Sequence, residues 1–99
     1  MINHVVLFKL KTYPVDEKKQ VLTQFKSMLL GLKEKIEVLK HIEVGENYEL
    51  DAKSFDLALI THFDSIEDLD VYRVHPEHMK VVAFAAEVVT DRAAVDFQF

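Results

Sequence analysis

The chain has no cysteine and no tryptophan, and only two glycines and two prolines in 99 residues. Without cysteine there is no disulfide, no thiolate nucleophile and no Cys-based zinc site, which suits a reducing cytoplasm. No apolar run approaches the about 18 residues that a membrane helix needs. The stretch from Met1 to Lys9 has no basic leader and a short apolar run, so it does not read as a signal peptide. Basic charge is scarce too. The net charge is −5, and the densest basic stretch, Lys33 to Lys40, alternates with Glu34 and Glu37 as on a solvated helix surface. Nucleic-acid binding, which needs clustered Lys and Arg to displace counterions, is not expected. What is left is a composition 49% hydrophobic, too apolar for a disordered chain and the right length for a single domain over residues 1–99. The expectation is a soluble, cytoplasmic protein.

Periodicity then divides the chain. Residues 2–11 alternate as a strand, with Ile2, His4, Val6, Phe8 and Leu10 on one face and Val5 and Leu7 on the other. Thr12-Tyr13-Pro14 ends it. A helix follows to Leu32 or Ile36, with Val21, Leu22, Phe25, Met28, Leu29 and Leu32 at spacings of three and four; Gly31 is a candidate early stop. Val38–Glu46 and Phe55–Phe63 read as strands separated by a polar loop over 47–54. Ser65 and Asp68 stand in capping-box spacing ahead of a short helix to about Arg73. His75-Pro76 stops that helix and starts another, because the residue before proline is pushed out of helical space while proline suits a first helical position. The second piece runs to about Val89, with Met79, Val82, Ala83 and Ala86 as its apolar stripe; residues 90–99 form a last strand.

The order is βαββαβ with a broken second helix, the α+β, ferredoxin-like pattern of an antiparallel sheet with helices on one face. Two of its strands are nonetheless apolar on both faces in mid-length. A second copy packed sheet to sheet, as an isologous homodimer, covers the face the helices leave open.

Candidate chemistry gathers in Tyr72-Arg73-Val74-His75-Pro76-Glu77-His78. Tyr72 shares a helical face with Ile66 and Leu69, His78 lies a turn from Val82, and His4 stands on an apolar strand face. Three polar groups from three elements can line one cavity between helices and sheet. Histidine titrates near neutrality and serves as a general base; a tyrosine hydroxyl orients or protonates an enolate oxygen. That set suits proton abstraction beside a carbonyl and needs no cofactor. His75 and His78 with Glu77 between them lack the accompanying ligand set of a metal site, so no metal is expected. His75 also fits a plain helix cap, and His41 and His62 fit solvated or interface positions.

Several pieces of the chain, in order, resemble the stress-responsive A/B barrel domain family. They are His4-Val5-Val6-Leu7-Phe8-Lys9-Leu10, Val44-Gly45, Phe55-Asp56-Leu57-Ala58-Leu59, Phe63-Asp64-Ser65, Tyr72, His75-Pro76-Glu77-His78 and Val95-Asp96-Phe97. The resemblance implies a homodimeric α+β barrel. By its polyketide-cyclase branch it implies His78 as base and Tyr72 as assisting phenol, with His4 in a substrate pocket. At the third strand, where that branch carries another pocket histidine, this chain has Leu57 as the matching substrate-side position. The reading is a homodimer with a small-molecule pocket and cofactor-free lyase- or cyclase-like chemistry. Alternatives are a non-catalytic, stress-associated structural dimer and a cofactor-free monooxygenase; the sequence leaves catalysis itself open.

Overall fold

Alternation builds the sheet. In the computed structural model, which describes residues 1–49 and 53–99, β1 (Ile2–Leu10) buries every second side chain, from Ile2 to Leu10. β3 (Leu57–Phe63) repeats the pattern through Leu57, Leu59, Thr61 and Phe63. These two strands form the centre of a four-stranded antiparallel sheet, flanked by β2 (His41–Glu46) beside β3 and β4 (Val89–Gln98) beside β1. Part of the expected 47–54 loop, residues 50–52, lies outside the described residues.

Three helices cover one face: α1 (Val15–Lys35), α2 (Ile66–Val74) and α3 (Pro76–Val88). The fold is thus the expected ferredoxin-like βαββαβ, with its second helix in two pieces. Leu22, Phe25, Leu29 and Leu32 of α1, Leu69 and Tyr72 of α2, and Val81 and Val88 of α3 meet the inward strand residues in one core.

Two readings of the helices are corrected. Gly31 does not end α1, which runs on to Lys35 with Ile36 as its C-cap. Its backbone is not in the left-handed region, and a methyl group there would touch nothing within 4 Å. Gly31→Ala is therefore expected to raise stability by about 0.5–1 kcal/mol through lost unfolded-state entropy, read as a higher urea midpoint. In α3 the core-facing residues are Val81 and Val88, with Phe84 and Ala85 packed beside them, whereas Met79, Val82, Ala83 and Ala86 are exposed. The run from Val81 to Ala86 is apolar all round, so periodicity alone cannot choose a face. The choice is made by packing: Phe84 meets Phe25 of α1 with ring centroids 5.7 Å apart.

Asp56, just ahead of β3, is a buried carboxylate that holds three elements together. It accepts from the Leu10 backbone N–H at 2.8 Å, pairs with Lys18 of α1 at 2.9 Å, and donates its own N–H to the Phe8 carbonyl at 2.8 Å. Asp56→Ala leaves a buried N–H and an ammonium without their partner. A loss of about 2–4 kcal/mol in unfolding free energy is expected, measured by denaturant titration.

No described helix covers the other face of the sheet. In register across it run Ile60, Val5 and Val95, then Ala58, Leu7 and Ala93, and His62, Asn3 and Phe97. Val95 and Phe97 are 55% and 46% exposed, a contiguous apolar surface rather than scattered side chains. At its edge the rings of His41 and His62 stack at 4.6 Å, and His62 meets Phe99 at the same separation. Burial, then the neighbouring His41, lowers the His62 pKa, with Glu43 opposing.

Candidate functional site

His75 closes one helix and opens the next. Its backbone N–H donates to the Tyr72 carbonyl at 3.2 Å, ending α2, and its Nδ1 accepts the Glu77 N–H at 3.1 Å, capping α3. In a continuous helix the Glu77 N–H would bond the Arg73 carbonyl four residues back. Here His75 has taken it, and the Arg73 carbonyl accepts instead from His78 Nδ1 at 3.1 Å. A carbonyl cannot donate, so Nδ1 carries the proton and Nε2 of the neutral ring keeps its lone pair. Burial lowers the pKa of His78 against the raising effect of that backbone bond, and the charges of His4, Arg92 and His75 lower it further. At neutral pH the imidazole is therefore a free base.

His78 lines a cavity of about 420 Å³ between α3, α1 and the inner face of the sheet. Apolar walls come from Val6, Phe8, Phe25, Leu59 and Val81, with Val82, Ala85 and Ala86 following His78 along α3. The polar groups of the wall are His4, Arg73, His78 and Arg92. Of the four expected site residues, His4 and His78 are thus brought to one cavity. Tyr72 stands behind it, fully buried, its ring 4.2 Å from that of His78 and edge-on to that of His4 at 6.4 Å. The Tyr72 hydroxyl is buried with no hydrogen-bond partner among the described residues. Burial pushes its pKa up to about 12, with the Arg92 charge pulling the other way. Leu57 is placed apart from the cavity wall, 2% exposed in the core opposite Phe8; the wall position on β3 is Leu59.

Sequence reasoning missed the acidic partner. Asp96 of β4 faces His4 across the ladder, and its Oδ1 accepts from His4 Nδ1. Its Oδ2 accepts from Arg73 Nη2 at 2.9 Å, while Arg73 Nη1 reaches Asp70 at 3.0 Å. The carboxylate therefore fixes the His4 ring and neutralises Arg73 together. No local signal marks it: Asp96 stands on the polar phase of the last strand in sequence, and only the pairing of β4 with β1 turns it toward His4. Among the described residues no group of three His, Cys, Asp or Glu side chains is arranged to hold a metal ion, and no described helix is long and apolar enough to cross a membrane.

The family model of the stress-responsive A/B barrel domain matches residues 2–99. The chain belongs to that family. It is 33% identical over 102 residues to the stress-response A/B barrel domain-containing protein DABB1 of Arabidopsis thaliana, a match over 98% of this chain and 46% of that protein. The chain thus spans about half the length of that curated relative. Among solved structures, a dimeric ferredoxin-like protein of Bacteroides fragilis is 39% identical and superimposes with a TM-score of 0.90, covering 99% of this chain and 95% of the other. A hydroxynitrile lyase of Passiflora edulis shares the fold at a TM-score of 0.81 with 15% identity, covering 97% and 90%. Membership in this A/B barrel family, and solved relatives that are dimers, support self-association of the chain.

Proposed function

We propose that this A/B barrel chain is a homodimer, joined through the helix-free sheet face, whose cavity binds a small carbonyl compound and moves a proton at the carbon beside the carbonyl. The observation that carries the chemistry is the locked tautomer of His78. Its Nδ1–H is held by the Arg73 carbonyl, so Nε2 is the basic nitrogen of a side chain in the cavity wall. The C–H bond breaks, its electron pair passes to the carbonyl oxygen, and the proton goes to Nε2. Tyr72 supports the oxygen end. Its buried hydroxyl is an unused donor behind His78, and it would reach an enolate oxygen only if substrate entry shifts the His78 ring that lies between them. His4, held by Asp96, is the substrate-positioning group on the sheet side. No step in this scheme calls for a cofactor.

The test uses phenylacetone, whose apolar ring suits the apolar wall and whose benzylic hydrogens lie beside a ketone. Protein in D₂O should accelerate deuterium incorporation at that carbon, followed by proton NMR, with a rate that saturates in phenylacetone. A rate no greater than that of free imidazole at the same concentration would sink the proposal.

A further inference from the structure

Among the described residues, the wall of the cavity contains two arginines and two histidines and no Asp or Glu, in a chain whose net charge is −5. The two arginines differ. Arg73 is engaged by Asp70 and Asp96. Arg92, opposite Phe8 on the core-facing phase of β4, forms no ion pair among the described residues. Its charge is nonetheless felt at the site, since it lowers the pKa of both His78 and Tyr72. A guanidinium at an apolar cavity with no counter-ion of its own has its fork of N–H donors open to a planar anion.

We infer that the cavity selects amphipathic organic acids, with the ligand's carboxylate on Arg92 and its apolar body against Val6, Phe8, Phe25 and Val81. This rests on the small-molecule reading of the cavity and narrows it from carbonyl compounds at large to those carrying an acid group. The apolar wall supplies area without selectivity, whereas Arg92 discriminates by charge. Arg73 does not compete for the anion, because Asp96 and Asp70 already hold it. His78 reinforces the preference at low pH: once protonated it adds a second positive charge to the wall, so affinity for an acid rises as pH falls through the lowered His78 pKa.

Binding of 1-naphthaleneacetate and of its neutral isostere 1-naphthaleneacetamide, by calorimetry and by amide shifts in the ¹⁵N spectrum, tests this without any turnover. The acid should bind about tenfold tighter than the amide, with shifts at Val81, Val82 and Ala85. Arg92→Gln should bring that ratio close to one, chiefly by weakening the acid, and Arg92→Lys should retain part of it. The acid's advantage should shrink between low and high salt, because Arg92 is exposed. Equal affinities in the native protein, or a ratio that Arg92→Gln leaves intact, would overturn the assignment of Arg92 while the cavity reading stands. Absence of shifts at Val81, Val82 and Ala85 with both compounds would overturn the cavity reading and this inference together.

Discussion

His78→Ala is expected to slow deuterium exchange into phenylacetone about 100- to 10,000-fold, the usual contribution of a positioned general base. His78→Gln keeps much of the ring's volume and its bond to the Arg73 carbonyl, yet has no basic nitrogen. It should be as slow as alanine while binding ligands normally, which separates loss of the base from damage to the cavity. The pH profile is a second, independent reading. The rate follows the neutral imidazole, so it should climb with pH through a midpoint below the ordinary 6.5, because burial lowers the His78 pKa, and then level off. No falling limb should appear near pH 9 or 10, since the Tyr72 phenol keeps its proton until about 12. Tyr72→Phe should lower the plateau by a smaller factor and leave the ascending limb where it is. A profile centred above pH 7, or a His78→Gln protein with native rates, would exclude His78 as the base.

Val5→Glu is expected to convert the dimer to monomer at micromolar concentration, measured by size-exclusion chromatography with light scattering. Val5 lies on the central strand β1, flanked in register by Ile60 and Val95. In a sheet-to-sheet pair it is sealed from water. An isologous interface repeats every substitution, so two carboxylates are buried without partners. Even a modest combined cost of roughly 4 kcal/mol weakens association about a thousandfold. The monomer's own core lies on the other side of the sheet, so helical content by circular dichroism should stay native. Met79→Glu, on an exposed turn of α3, is the matching control and should leave the dimer whole. A Val5→Glu protein that remains dimeric would move the interface to another surface.

Much of this architecture is legible in the chain alone, for local reasons. Strict period two in residues 2–10 gives β1 its two faces, and one proline with a histidine before it gives the break between α2 and α3. What is illegible is non-local. Asp96 meets His4 across a separation of 92 residues, and only the pairing of β1 with β4 says so. The same pairing sets Arg92 opposite Phe8, where its charge bears on the site. Asp56 reads as one more alternating strand residue, although it is buried ahead of the strand among partners from β1 and α1. The family resemblance points to Leu57, whereas the cavity wall takes Leu59, the next residue on the same face. The face of α3 failed differently: too many of its residues are apolar for a pattern to point anywhere.

β4 writes two messages in one strand. Its even-numbered positions Arg92, Ala94 and Asp96 face the cavity side, and its odd-numbered positions Ala93, Val95 and Phe97 face the open side of the sheet. A slip of one residue against β1 would exchange them all. Asp96 and Arg92 would then arrive at the apolar face as unpaired charges, and Phe97 and Val95 would arrive beside His4 and the cavity wall. Misthreading this strand therefore disturbs the cavity wall and the open apolar face of the sheet in one move. If the chain pairs through that face as proposed, a last strand docked out of phase would cost both the cavity wall and the dimer surface.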